Sequence, residues 1–352
     1  MTTKNYLKTI ILTLTLILVA AMAACNSTTP TGEVPQPIET DTNIPASEEP
    51  SDTPSPTPTP ELPVVVLAYG EGADAWTVER VQTILEELAP ESSLGLEIQE
   101  GLAAEILDAN VRVLVGISLE VDPTGLAGSN PGIAFVFVDH EGTTPANNLS
   151  VIGDSIIDQQ RQSFMAGFLS ALISTDYKVA GLIPAEDELS ELMTDAFVTG
   201  VEFFCGVCNP IYPPYQNFPQ WELISIENAA EGFQSVVDTL ITENGVEVLY
   251  IQNRLASAEM LTYLGNQNVK IVGDQPPDTI RNNWVGTVAT DPGPALIELW
   301  PDLLAGTGGV QLPSAITLTG TEAGLLSAGR LRLFEEMVDD LEAGLVSPET
   351  SP

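Results

Sequence analysis

Between Val64 and Leu345, short apolar runs of strand length alternate with longer stretches whose apolar residues recur at helical spacing. Few folds accommodate that alternation. Strands are expected at Val64–Tyr69, Leu94–Gln99, Val111–Ile117, Ile133–Val138, Val151–Ile156, Val179–Ile183, Glu222–Ile226, Val246–Ile251, Lys270–Val272, Val285–Thr290 and Ala315–Leu318. Helices are expected at Trp76–Ala89, Leu102–Asp108, Gln159–Ser174, Glu188–Phe204, Ala230–Glu243, Ser257–Gln267, Ala295–Leu304 and Ser327–Ala343. Strands that are apolar along their whole length, rather than on alternate residues, belong to parallel sheets covered by helices on both faces. About 280 residues is long for one such sheet, so two α/β lobes are expected.

In open parallel sheets, ligands bind beyond the carboxyl ends of the strands. The residues just after each expected strand are therefore the first candidates: Gly70 to Gly72, Ser118, Asp139 with His140, Asn253 with Arg254, Asp274 with Gln275, and Asp291. Asp, Asn and Gly are also the ordinary residues of turns and helix caps, so each has a purely structural alternative. For Asp274 that alternative is a cap on the turn into Pro276-Pro277, and no buried partner is expected for it. Tyr69 and Trp76 flank the first of these loops. Either ring can stack on a flat ligand or pack in the core.

The N-terminus has a different character. Lys4 and Lys8, the only basic residues before Arg80, precede an apolar run from Ile10 to Met22. Basic, then apolar, then small is the layout of a secretory signal, and the run is short for a bilayer span. It ends Met22-Ala23-Ala24-Cys25. Small residues before a cysteine resemble the lipobox of bacterial lipoproteins. That predicts a signal peptide of 1–24 and a lipid on Cys25, anchoring an extracytoplasmic protein to the cell membrane. The alternative is ordinary cleavage, leaving Cys25 a free thiol. Residues 25–62 are rich in Pro, Thr, Ser and Glu, with the run Pro54-Ser55-Pro56-Thr57-Pro58-Thr59-Pro60. Such a stretch favours extended conformation and buries nothing. As a tether it would reach on the order of 100 Å at full extension.

Eleven Lys and Arg stand against 49 Asp and Glu. Loss of Lys4 and Lys8 with residues 1–24 moves the formal net charge from −38 to −40. That field repels phosphate backbones, whose neutralisation supplies most nucleic-acid affinity, so no nucleic-acid partner is expected. Catalytic signatures are absent: one His, no nucleophile elbow, no P-loop and no clustered metal ligands. No enzyme activity, cofactor or metal is expected. Cys205-Gly206-Val207-Cys208 reads as a disulfide in an exported chain. Redox and metal roles are the alternatives. A redox thiolate favours a helix N-terminus, whereas this pair follows an expected helix end.

Several segments in order resemble a known family. They are Phe135-Val136-Phe137-Val138-Asp139, Asn148-Leu149-Ser150-Val151, the segment Gln162 to Leu172 with Gly167 at its centre, Lys178-Val179-Ala180-Gly181, and Ile271-Val272-Gly273-Asp274-Gln275. This succession is similar to the basic membrane protein family of ABC-transporter substrate-binding lipoproteins, over Val64 to Leu345. The resemblance implies a type I periplasmic-binding-protein fold. That fold has two Rossmann-like lobes with parallel sheets, hinge-linked by three crossings, and a ligand in the cleft. It sets lobe 1 at 64–155 plus 291–312, lobe 2 at 156–290 plus 313–345, and a tail at 346–352. It implies a solute-binding component of an ABC importer. Such a component is a monomer that holds a small polar ligand, nucleosides being among the family's known ligands, and meets a permease. Tyr69, Trp76, Ser118, Asp139, Asn253, Asp274 and Asp291 are the residues expected to touch that ligand. The first loop, Tyr69 to Trp76, lacks the Asp–aromatic–Asn cluster of nucleoside-binding members. Two alternatives share the fold class: a sensor lipoprotein that signals to a membrane receptor, and a cell-surface α/β enzyme. Within the signature segment, small residues Ala166, Gly167, Ser170 and Ala171 allow close helix packing. Phe164 is expected in the core, with a place at the cleft as its alternative.

Overall fold

The computed structural model describes residues 62–103, 107–185, 189–226, 232–277 and 279–348. The expected signal peptide, Cys25 and almost all of the tether lie outside the described residues.

Two six-stranded sheets organise the described chain. The first is built from β1 (Val64–Tyr69), β2 (Gly95–Glu100), β3 (Val111–Ile117), β4 (Ala134–Val138), β5 (Leu149–Ile152) and a late strand, Gln311–Leu312. All of its pairings are parallel, and β4 has no exposed residue. Helix α1 (Ala75–Glu91) covers one face and α2 (Pro123–Ser129) the other. Together these elements form lobe 1.

The second sheet contains β6 (Val179–Pro184), β7 (Gln220–Ile224), β8 (Val248–Ile251), β9 (Lys270–Gly273), β10 (Trp284–Asp291) and a final strand, Ala315–Thr319. Only that last strand runs antiparallel, against β10. Helices α3 (Ser155–Ile173), α4 (Ser190–Cys205), α5 (Phe233–Asp238) and α6 (Ala258–Leu264) belong to this second lobe. The remaining helices are α7 (Gly293–Leu304), on lobe 1, and α8 (Ala328–Glu342), on lobe 2. Gln311–Leu312 is β11 and Ala315–Thr319 is β12. The chain passes between the sheets three times: from β5 into α3, from β10 into α7, and from β11 into β12. This is the expected fold class of two hinge-linked α/β lobes. No described helix is long and apolar enough to cross a membrane.

Several expectations need correction. Residues 102–103 and 107–108 are not helical, and 104–106 lie outside the described residues. The fifth strand ends at Ile152 rather than Ile156. Asp154 caps α3 by accepting from the N–H groups of Ile156 and Ile157, so helical geometry begins before the apolar run has ended. Helix α2 was not anticipated, although Asp122 as N-cap and Pro123 at the first helical position carry the signal. Strand β11 was missed because it has only two residues.

Helix α3 lies directly on α4. A Cβ on Gly167 would stand 2.2 Å from the Phe197 carbonyl oxygen, and one on Gly200 would stand 1.9 Å from that of Phe164. Small residues at both positions are therefore required for the contact. Phe164 is fully buried, and its ring meets that of Phe203 edge-on. It is a core residue. At the end of α4, Cys205 and Cys208 have their Cα atoms 5.0 Å apart, inside the range a disulfide spans. The loop beyond them is held by Asp176, which accepts from the backbone N–H of Tyr212 at 3.0 Å and pairs with Lys178 at 2.9 Å.

Candidate functional site

The first crossing sets the geometry of the site. Gly153 links β5 to α3 with φ at +84°, a conformation that disfavours any side chain. A Cβ here would lie 2.1 Å from Asp139 Oδ1, 2.8 Å from Asp158 Oδ2 and 2.9 Å from Ser314 Oγ. Asp139 follows β4 of lobe 1, Asp158 is in the first turn of α3 of lobe 2, and Ser314 lies at the third crossing. Glycine thus lets two carboxylates from different lobes crowd one hinge.

A cavity of about 190 Å³ opens between the lobes at this point. Four aspartates line it: Asp74, Asp139, Asp158 and Asp274. Among the described residues, no lysine, arginine or histidine does. Amides contribute the rest of the polar wall through Gln159, Gln162, Gln252, Asn253 and Gln275, and Trp76 adds an aromatic face. Gln162 is locked, donating from Nε2 to the carbonyls of Asp274 at 2.9 Å and Val288 at 2.8 Å. Asp74 is the N-cap of α1, where Oδ2 accepts from Thr77 N at 2.8 Å. Its Oδ1 accepts from Gln275 Nε2, which joins lobe 1 to lobe 2 across the cleft.

The carboxylates are incompletely partnered. Asp158 is 3% exposed and Asp274 5%. Asp158 Oδ2 accepts from Asp154 N at 3.2 Å, and Asp274 Oδ2 accepts from the Tyr250 hydroxyl at 3.3 Å. The Oδ1 atoms of Asp139, Asp158 and Asp274 are buried without a hydrogen-bond partner. Burial therefore pushes all three carboxyls up. Asp139 rises to about 7, with Asp158, Asp74 and Asp154 adding repulsion. Asp274 rises to about 7 through burial and the charge of Asp74, against the Asn253 N–H and the Tyr250 hydroxyl. Asp158 rises to about 6, since the Asp154 N–H and Arg161 partly offset its burial. Tyr250 is held well above its ordinary value by burial and by Asp274.

Trp76, Asp139, Asn253 and Asp274 come together on this cavity. Tyr69, Ser118 and Asp291 do not. Tyr69 borders a separate hollow with Gly70 and Val78. Ser118 is exposed, with φ at +48°, and its carbonyl oxygen packs against Gly70. The Asp291 carboxylate is taken by Arg80, with Nε 3.0 Å from each oxygen and Nη2 at 2.9 Å, and by Gly293 N at 2.8 Å. It ties the second crossing to α1. The expectation that Asp274 has no buried partner was wrong, because Tyr250 donates to it. Asp74, Asp158, Gln162 and Gln252 were not singled out from sequence. Asp158 had a signal of a kind, an acid four residues after a helix-capping Asp154.

A larger hollow of about 550 Å³ lies beside Thr175, Glu247 and Lys270 of lobe 2. Its charged groups are already satisfied. Glu247 accepts from Ser174 Oγ at 3.0 Å and from Thr175 N at 2.8 Å, while Lys270 donates to the Ile173 carbonyl at 2.9 Å. Unpartnered carboxylate oxygens, rather than volume, single out the interlobe cavity, since the unpartnered atom of the larger hollow is an amide oxygen, Asn283 Oδ1.

No protein-family model and no curated protein matches the chain. Solved structures do. A transcriptional activator of the comK gene from Bacillus halodurans superposes with a TM-score of 0.58 at 12% identity, over 81% of this chain and 100% of that one. An ABC transporter solute-binding protein from Aeropyrum pernix K1 gives 0.54 at 12% identity, over 81% and 93%. A LacI transcriptional regulator from a Rhodococcus species gives 0.50 at 11% identity, over 73% and 96%. At such identities the likeness is one of fold, and with two mostly parallel sheets joined by three crossings, the fold is that of the type I periplasmic binding proteins.

Proposed function

We propose that this chain is an extracytoplasmic solute-binding lipoprotein that holds a small polar molecule between its lobes. The observation that carries this reading is the interlobe cavity, walled by polar side chains from both lobes, with three buried carboxylate oxygens left unpartnered. Buried acceptors without donors are costly, and a ligand that supplies donors removes the cost. Binding proteins with hinged lobes use such contacts to favour the closed state. The segments that resemble the basic membrane protein family support an ABC permease as partner. The N-terminal order of basic, apolar and small residues ending at Cys25 supports a lipid there. The pair Cys205 and Cys208 fits a structural disulfide. Mass spectrometry of molecules released on denaturing the purified protein tests the central claim. One polar compound at near one equivalent is expected. Steady turnover of that compound by the native protein would instead identify an enzyme.

A further inference from the structure

We propose that the interlobe cavity is built for an organic cation carrying N–H groups, a diamine or polyamine, whose ammonium groups bridge carboxylates of the two lobes. The inference rests on the solute-binding reading and names its ligand class.

The aspartates fall into two pairs, each with one member from each lobe. Asp139 and Asp158 crowd Gly153 at the first crossing. Asp274 feels the charge of Asp74, as Asp139 also does, and Gln275, next to Asp274, donates to Asp74. Two acidic spots on one cavity suit two cationic nitrogens. Asp158 and Asp274 are each more than nine-tenths buried, line the cavity, and keep an Oδ1 atom with no donor. Oxygens of this kind call for N–H or O–H donors, which excludes a quaternary ammonium.

Charge then separates an amine from a neutral polyol. Among the described residues no basic side chain lines the cavity, so a hydroxylated ligand would leave the negative charge the carboxylates carry uncompensated. An ammonium donates hydrogen bonds and neutralises charge together, and charge-assisted hydrogen bonds are about twice as strong as neutral ones. Trp76 in the cavity wall adds an aromatic ring, a group that attracts cations. The chain's formal net charge of −38 adds attraction at long range. A metal ion is the poorer fit, because among the described residues no three His, Cys, Asp or Glu side chains converge as metal ligands must.

Cleft closure follows from the same charges. Without a cation, the aspartates of the two lobes repel one another as they ionise, and like charges oppose closure. A bridging diamine reverses that sign, so ligand and closed state favour each other.

Isothermal titration of the purified full-length chain, dialysed free of small molecules, with putrescine and spermidine is the test. Adenosine, ribose, calcium and magnesium serve as comparison ligands. One saturable site for an amine is expected. Asp158→Asn and Asp274→Asn should each weaken it by about tenfold or more. Asp340→Asn, on the exposed face of α8, should leave it unchanged. Melting curves of the variants separate lost binding from lost folding. Amine binding indifferent to both cavity substitutions overturns the proposal, as does binding of a divalent metal in place of the amine. Binding of a neutral comparison ligand with no amine binding overturns the cation while keeping the solute-binding reading. No binding of any probe, with nothing released on denaturation, overturns both.

Discussion

Asp158 sits in the first turn of α3 with one oxygen on the Asp154 N–H and the other unpartnered. Its carboxyl is raised to about 6, and those of Asp139 and Asp274 to about 7. In an unfolded chain such groups titrate near 4. Between those values the folded protein binds more protons than the unfolded one, so stability falls as pH rises from about 4 to 7. Asp176 and Glu247 are shifted the other way by their hydrogen bonds, and the stability they add is lost only below that window. The groups around Asp158 are Asp139, Asp154, Arg161 and Ser314, and the asparagine variant keeps an acceptor for the Asp154 N–H. Asp158→Asn should therefore flatten the decline, gaining on the order of 2–3 kcal/mol relative to wild type between pH 4.5 and pH 7.5. Urea denaturation of both proteins at the two pH values measures this. A parallel decline in the two would mean that Asp158 is not held above its ordinary range. Asp139 and Asp274 were legible as site residues because each follows a strand. Asp158 was not, because an acid early in a helix reads equally well as a response to the helix dipole.

The contact between α3 and α4 shows the same limit at the scale of elements. Small residues within Gln162 to Leu172 announced a close approach, and nothing in the spacing said whether to a sheet or to another helix. The structure answers with Gly200 of α4, whose missing side chain leaves room for the Phe164 carbonyl. Gly200→Ala should destabilise the protein by about 1–3 kcal/mol through overpacking. Gly329→Ala is the control. It lies in α8 with open space where its Cβ would stand, and it should be neutral or slightly stabilising. Thermal melts of the two variants decide the matter, and equal melting temperatures would show that the helices separate at little cost. Boundaries behaved in a related way. Strand β10 runs one residue past the expected bounds at each end, because Trp284 pairs with Ile271 and Asp291 with Ala315 whatever their polarity.

For the whole molecule, the anchor and the cleft form one arrangement in the proposed reading: a lipid on Cys25, a proline-rich tether, and two lobes free to close. Cys25→Ala should shift the protein from the membrane fraction to the soluble exported fraction, scored by immunoblot of fractionated cells. Retention in the membrane fraction would remove the lipid anchor from the account. The acidic composition suits this proposed arrangement, since a net charge far from zero favours solubility.

Sequence alone determined the fold class and most of its elements. The reason is that hydrophobic periodicity is local, and a strand–helix alternation admits few ways to bury its apolar faces. It also pointed to some of the loops that line the interlobe cavity, those of Asp139, Asn253 and Asp274 among them. Only the tertiary structure decided which loop residues meet. Asp291 looked like Asp274 from its neighbours in sequence, yet Arg80, 211 residues away, claims its carboxylate. Asp139 and Asp158 belong to one site because a positive-φ glycine brings two lobes together between them. Pairing across a cleft depends on how the lobes pack, and no periodicity in the chain encodes it.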